Sequence, residues 1–394
     1  MIIADNKHPG DNITGKTATD ETQGSSTPIR LTAFSHGAGC GCKISPAVLD
    51  AILPKDQKSA LKDARLLVGN HQRDDAAVWQ IDESQSLIAT TDFFMPIVDD
   101  PFDFGRVAAA NAISDVYAMG GRPVLALAIL GWPVKLLPIE LAGKVLDGAR
   151  EVCREAGITL AGGHSIDTPE PIFGLAVNGL IQTRHLKMNQ TAEPDCRLYL
   201  TKPLGVGILS TAQKKGLVRP QDSAAALRNM TSLNKIGALL GEMEAVRAMT
   251  DVTGFGLLGH LKEVCQASNI NAVIEFENVP VLDNLDFYLE QGAVPGGTKR
   301  NWDSYGRFIG NITERQKQIL ADPQTSGGLL VVVRNKREDI ALFEELLSRE
   351  GINIWPVGRT VFRSQAVSVN PDIKLDQENA GVPTAFNQPY IRIE

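Results

Sequence analysis

The chain has 394 residues, more than one ordinary hydrophobic core can use, so two domains of roughly 150 residues each are expected. Its 43% hydrophobic and 22% charged residues, with 36 glycines and 21 prolines, favour a turn-rich α/β or α+β enzyme over a helical bundle. A net charge of -7 leaves no basic footprint for nucleic acid. The longest apolar run, Val124 to Val134, holds Gly131 and Pro133 and is about half the ~20 residues that cross a bilayer, so no membrane partner is expected either.

Residues 1–29 are polar, with neither a signal-peptide apolar stretch nor a transit-peptide composition, and read as a disordered tail. The five cysteines, an odd number in a long chain without a secretion signal, point to free thiols in a reducing, cytoplasmic setting. Cys153, Cys196 and Cys265 fall in apolar patterns and read as small buried side chains. Residues 30–55 form a Gly-rich, mobile stretch followed by a short helix over 46–53, with Pro46 in its first turn.

An N-terminal domain is expected over 56–184. A strand begins at Arg73, and another runs from Ser86 to Thr91 into Asp92. A helix spans 103–119, with Asp103 as N-cap and Gly120-Gly121 as its stop, which places Asn111 and Asp115 on one face. Strands at 124–130, 158–161 and 173–181 and a helix at 139–156 follow. A second α/β domain is expected over 185–370, beyond the polar segment His185 to Asp195. Its strands are expected at 197–201, 272–276, 329–333 and 352–357, and its helices at 207–215, 232–248, 254–268 and 337–349. Residues 371–394 are left as a C-terminal tail. Thr-Asp pairs at element edges in both halves, Thr91-Asp92 and Thr250-Asp251, hint at duplicated architecture without deciding it.

The segment with the sharpest chemistry is Ser35-His36-Gly37-Ala38-Gly39-Cys40-Gly41-Cys42-Lys43. It is not a P-loop, because Lys43 follows Cys42 and precedes Ile44 where the motif needs Gly-Lys-Ser/Thr. Structural zinc would need two more thiol or imidazole ligands at useful spacing. A thiol whose thiolate a nearby lysine favours, on a flexible strip that can exclude water from phosphoryl transfer, fits better. Asp74, Asp75, Asp92, Asp115 and Asp251 supply hard oxygen donors of the kind that hold magnesium beside phosphates. Gly162-Gly163-His164-Ser165 follows a short strand and reads equally as a phosphate-binding turn or an ordinary one, and His164 equally as a structural histidine. Asp322-Pro323-Gln324-Thr325-Ser326-Gly327-Gly328 is a turn signal before a strand.

Taken together, His36 to Lys43, Arg73-Asp74-Asp75, Thr90-Thr91-Asp92-Phe93-Phe94-Met95, Asn111 to Asp115, Ala161 to Ser165, Thr250 to Gly256 and Asp322 to Gly328 resemble the selenophosphate synthetases (selenide, water dikinases) of the aminoimidazole ribonucleotide synthetase-like superfamily. The ordered matches span about 31–357. The resemblance implies conversion of ATP, selenide and water to selenophosphate, AMP and orthophosphate, the activated selenium feeding selenocysteine and selenouridine synthesis. It implies a two-domain fold, each domain a mixed sheet with helices on one face, and a homodimer whose N-terminal strands build a shared barrel. A selenium-delivery protein is a further partner compatible with it. Carried onto this chain, it makes Cys40 and Lys43 catalytic and gives magnesium to Asp75, Asp115 and Asp251. Nucleotide binding goes to Lys43, Gln72, Arg73, Asp74, Asp92, Asp115, Gly163, His164 and Ser165.

Overall fold

The computed structural model describes residues 29–44, 46–52, 63–70, 73–363 and 389–394. The expected N-terminal tail up to residue 28, Gln72 and residues 371–388 lie outside them. Within the described residues, 3₁₀ turns at Leu31–Phe34 and Gly39–Cys42 and helix α1 (Pro46–Ile52) precede the first sheet.

That sheet contains β1 (Leu66–Val68), β2 (Ala77–Gln80), β3 (Gln85–Phe94), β4 (Arg122–Trp132), β5 (Thr159–Asp167) and β6 (Ile172–Gln182), in the order β1-β2-β3-β6-β4-β5. Among the described residues of this sheet, only β4 and β5 run parallel. Helices α2 (Pro101–Ala118) and α3 (Ile139–Glu155) cover one face. Ile88 and Phe94 of β3, Ala126 of β4 and Phe173, Leu175 and Val177 of β6 point into that layer and are buried. Phe93, Leu127 and Ile166, on β3, β4 and β5, remain 40–58% exposed.

Helix α2 is apolar nearly all round, as a fully enclosed helix must be. Its Ala108, Ala109, Ala110 and Ala112 are essentially inaccessible, and their small side chains let α3, the first sheet and the second half of the chain all approach closely. Its N-cap is Asp100, whose carboxylate accepts the Asp103 N–H at 2.9 Å. The cap therefore lies three residues ahead of the one expected, because Pro101 is pre-set for the first helical position.

The second sheet, in the order β12-β9-β11-β7-β10-β8, is built from β7 (Cys196–Leu200), β8 (Val246–Asp251), β9 (Asn271–Ile274), β10 (Leu329–Arg334), β11 (Trp355–Val361) and β12 (Ile391–Ile393). Among the described residues eight α-helices accompany it: α4 (Val206–Lys214), α5 (Pro220–Thr231), α6 (Ile236–Glu242), α7 (Gly256–Ser268), α8 (Leu285–Glu290), α9 (Gly296–Tyr305), α10 (Glu314–Leu320) and α11 (Arg337–Arg349). Both faces of this sheet are covered. Leu330 and Val332 enter the main core with α7, while Leu329, Val331 and Val333 pack with Phe343 and Leu347 of α11 in a smaller cluster.

Boundaries differ from the sequence reading at several elements, among them these three. The helix expected over 232–248 is the short α6 followed by β8, since Glu242-Met243-Glu244 leaves the helix and Val246 to Met249 supply a buried strand run. The strand expected to start at Arg73 starts at Ala77. Strand β12, in the segment expected to be a tail, pairs parallel with β9. As for duplication, counting from β3 in the first sheet and from β7 in the second, each half places the first, fourth and second strands side by side and antiparallel: β3-β6-β4 in one, β7-β10-β8 in the other. Thr91-Asp92 lies on the first strand of its set and Thr250-Asp251 on the second, so the two pairs are not equivalent positions.

Candidate active site

Four segments meet where the first sheet, α2 and the second sheet adjoin. Strand β3 presents Thr90 and Asp92 toward α2, where Asn111 and Asp115 stand one turn apart as their four-residue spacing requires. The Thr90 hydroxyl donates to Asp115 Oδ2 at 2.5 Å, and Asn111 Nδ2 donates to Asp92 Oδ2 at 2.5 Å. The end of β8 brings in Thr250, whose hydroxyl donates to Asp75 Oδ1 at 2.8 Å, and the buried Asp251.

Asp75 sits on the turn before β2. Arg73 there adopts φ 55°, a left-handed conformation uncommon for its residue type. Asn189 holds the turn: its N–H donates to Asp74 Oδ1 at 2.6 Å and its amide to the Arg73 carbonyl at 3.0 Å.

Burial, then the charges of Asp251 and Asp115, push Asp75 well above the usual carboxylate range. Asp115 rises for the same first reason, then because of Asp251 and Asp92. Burial also raises Asp251, to about 6, although a Ser114 hydrogen bond, Lys43 and Lys202 oppose the rise. Three carboxylates that repel one another in a low-dielectric pocket are costly unless a cation joins them. Asp74 Oδ2, Asp75 Oδ2 and Asp251 Oδ2 are buried with no hydrogen-bond partner. Among the described residues, however, no three acidic, histidine or cysteine side chains converge closely enough to hold an ion alone. The donor set suits a hard cation that keeps some ligands of its own, such as water or phosphate oxygens.

Facing the aspartates is the Gly-rich segment. Lys43 Nζ lies 3.4 Å from the Asp92 carboxylate. Gly39, with φ 50°, is pressed so close to the 322–328 turn that a Cβ would fall 2.4 Å from Thr325 Oγ1, which only glycine avoids. The segment is docked at several points. His36 bonds Glu170, Lys214 Nζ donates to the Gly37 carbonyl at 2.7 Å, Arg300 donates to the Gly41 carbonyl at 2.6 Å, and Gly39 N–H donates to Met95 O. Cys40 belongs to the 3₁₀ turn Gly39–Cys42, three residues from Lys43.

The turn 322–328, uninformative by itself in the sequence, organises this side of the pocket. Ser326 N–H donates to Asn111 Oδ1 at 2.7 Å, and the Ser326 carbonyl accepts from the buried Lys202 at 2.9 Å. A continuous chain, Lys202–Ser326–Asn111–Asp92–Lys43, thus reaches from the interior of the second half to the Gly-rich segment. A second branch runs from the Gly327 carbonyl through Asn234 to Ser114 and on to Asp251. Burial lowers Lys202 to about 7.

Sequence reasoning missed Asn189, Lys202 and Asn234. Each lies far along the chain from the groups it supports, and only Lys202, a lone lysine after the apolar run Leu198-Tyr199-Leu200, carried any local signal. Conversely, Gly163, His164 and Ser165 are not in a turn. They lie inside β5, which runs on to Asp167 through an irregularity in its pairing with β4. Gly163 is required there, since a Cβ would come 2.2 Å from the Ala128 carbonyl oxygen. These residues are exposed, and no hydrogen bond among the described residues ties them to the aspartates.

The two halves define a class. Residues 73–181 match the N-terminal domain of AIR synthase related proteins and residues 193–369 the C-terminal domain. Solved structures share the fold at low identity. A thiamine-monophosphate kinase from Stenotrophomonas maltophilia has a TM-score of 0.56 at 17% identity, over 76% of this chain and 90% of that one. A hydrogenase maturation protein solved with ATP has a TM-score of 0.54 at 19%, over 72% and 78%.

Sequence similarity narrows the class further. The selenide, water dikinase of Colwellia psychrerythraea is 59% identical over 335 residues, 85% of this chain and 96% of that protein. That of Pseudomonas putida is 58% identical over 345 residues, 87% and 99%. The chain belongs to the selenide, water dikinase (selenophosphate synthetase) family.

Proposed function

We propose that the chain phosphorylates selenide at the expense of ATP, with water taking the second phosphoryl group, so that selenophosphate, AMP and orthophosphate are formed. The observation that carries this reading is the set of buried, mutually repelling carboxylates with three unpartnered oxygens, opposed by Lys43. Asp75, Asp115 and Asp251 would hold magnesium, which when bound neutralises phosphate oxygens that would otherwise be repelled. Because no three of these groups enclose an ion by themselves, the metal is expected to come in with the nucleotide.

The protein's own work is positioning and charge stabilisation, the main demands of phosphoryl transfer. Lys43, steered by Asp92, meets the transferring group, and Asn111 holds Asp92 in place from α2. Cys40 supplies a soft thiol for selenium on the same docked turn. Arg73 and Asp74, beside the cluster, join Asp92 in seating the nucleotide, and Gln72 falls in the neighbouring stretch.

Gly163, His164 and Ser165 would serve from a second copy of the chain. They lie on an exposed edge strand, beside the uncovered face that carries Phe93, Leu127 and Ile166, and pairing of two such faces gives the homodimer. A phosphorus NMR spectrum of an anaerobic mixture of ATP and selenide tests the reading. Signals of AMP, orthophosphate and a selenium-bonded phosphorus are expected, and ADP as the end product would overturn it. The Lys43→Ala and Cys40→Ser variants are expected to stay folded and give no selenophosphate.

A further inference from the structure

The chain that links the two halves is pinned on both sides before it enters β7. Lys187 N–H donates to the Met119 carbonyl at 3.1 Å, just past α2, and the buried Lys187 ammonium donates to the Met243 carbonyl at 2.9 Å, just ahead of β8. Two residues on, the 3₁₀ turn Asn189–Thr191 reaches back to the first half. Asn189 N–H donates to Asp74 Oδ1 at 2.6 Å, and its side-chain amide donates to the Arg73 carbonyl at 3.0 Å. Arg73 stands at φ 55°, a conformation that persists in a residue other than glycine only where its surroundings hold it. On the opposite side the Ser268 hydroxyl, at the end of α7, donates to the Asn189 carbonyl at 2.6 Å and accepts the Ala192 N–H at 3.0 Å. The Thr191 hydroxyl lies 2.6 Å from the Arg247 carbonyl, on the strand β8 that ends in Thr250 and Asp251.

We propose that Asn189 is a positioning residue for magnesium, fixing through this link where Asp75 stands relative to Asp251. Both carboxylates serve the metal in the function proposed above, on which this rests. Asn189 is 1% exposed, too enclosed to ligate an ion or a nucleotide itself, so its effect passes through the turn it holds. Asp75 is tied to β8 at one oxygen, by the Thr250 hydroxyl at 2.8 Å, while its other oxygen is buried without a hydrogen-bond partner. The direction of that second oxygen therefore follows the backbone of the turn, which Asn189 grips at Arg73. Groups that orient a metal's ligands without touching the metal typically change its affinity about 10–100-fold when they are removed. The same short link also meets β8 and α7, so one buried side chain couples the acidic turn of the first half to the acidic strand end of the second.

Titration calorimetry of the full chain with a non-hydrolysable methylene analogue of ATP, repeated over a series of magnesium concentrations, tests the proposal without selenide or turnover. In Asn189→Ala the magnesium concentration that gives half-maximal affinity is expected to rise about tenfold, with affinity at saturating magnesium close to the parent's. Without ligands, amide exchange in this variant should quicken at 74–80 and stay as in the parent over α2. Ser268→Ala removes the hold on the far side of the same link and should shift the magnesium requirement in the same direction, and it serves as the test if Asn189→Ala does not fold. An unchanged magnesium requirement, affinity lost equally at every magnesium concentration, or exchange quickened throughout the chain would each overturn the assignment and leave Asn189 a structural brace. Failure of the parent to bind the analogue in a magnesium-dependent way would instead remove the proposed function, and this role for Asn189 with it.

Discussion

Lys202 is remote from any reacting group, yet its ammonium bonds the Ser232 and Ser326 carbonyls at 2.7 and 2.9 Å and so anchors the chain that ends on Asp92 and Lys43. Lys202→Met removes the donor from the buried Ser326 carbonyl, at a cost of about 1–3 kcal/mol, and from the Ser232 carbonyl, which solvent can reach. The variant is expected to fold, with circular dichroism unchanged, and to lose kcat more than it raises KM for ATP. Unchanged kcat would make the lysine purely structural. Asp251 carries a prediction of opposite sign. Its folded pKa, about 6, is above the unfolded value, so the stability it contributes is complete below about 3.8 and lost as pH rises through about 6. Asp251→Asn is therefore expected to melt higher than the parent at pH 7.5 without ligands, by roughly 2–4 °C for each kcal/mol relieved, while losing activity. A lower melting temperature would show that the carboxylates do not strain the resting pocket.

At the scale of elements, the 322–328 turn and β5 are the informative pair. Asp322 is fully buried, accepts from Gly207 N–H and Gln324 Nε2, and is raised by burial to about 8. Its stabilisation is present at low pH and lost as pH climbs from about 4 through 8. The midpoint of urea unfolding should fall over that interval in the parent and fall less in Asp322→Asn. For β5, Gly163→Ala places a methyl group against the Ala128 carbonyl and should loosen the edge strand, seen as faster amide exchange at 159–167 with α3 unaffected.

These two elements also mark what the sequence could express. Apolar runs such as Leu329 to Val333 gave the buried strands, and the spacing of Asn111 and Asp115 gave one wall of the pocket. The Gly-Gly pair in β5 looked like a stop because a pairing irregularity and a turn share their glycines, and only the neighbouring carbonyl of Ala128 distinguishes them. Asp103 looked like a cap because Asp100 and Asp103 flank the same proline-led start. Asn189 and Lys202 act through contacts more than a hundred residues away, which no local pattern encodes.

Across the whole molecule, the uncovered face of the first sheet is where the proposed contact between two copies would lie. Among the described residues no helix is long and apolar enough to cross a membrane, and Phe93, Leu127 and Ile166 stand exposed on the uncovered sheet face. If a second copy covers them, Leu127→Arg combined with Phe93→Asp should halve the mass measured by light scattering. Activity should fall with it, since Gly163, His164 and Ser165 would no longer reach a pocket. A dimer that survives both changes would place the contact elsewhere.

The segment bearing Cys40 is buttoned to both halves at once: His36 to Glu170 and Gly39 to Met95 in the first, Lys214 to Gly37 and Arg300 to Gly41 in the second. A swivel of one half against the other would strain those bonds, so movement of the strip would be coupled to movement of the halves. Under such coupling, access to the pocket would be tied to the angle between the two sheets rather than to one loop alone.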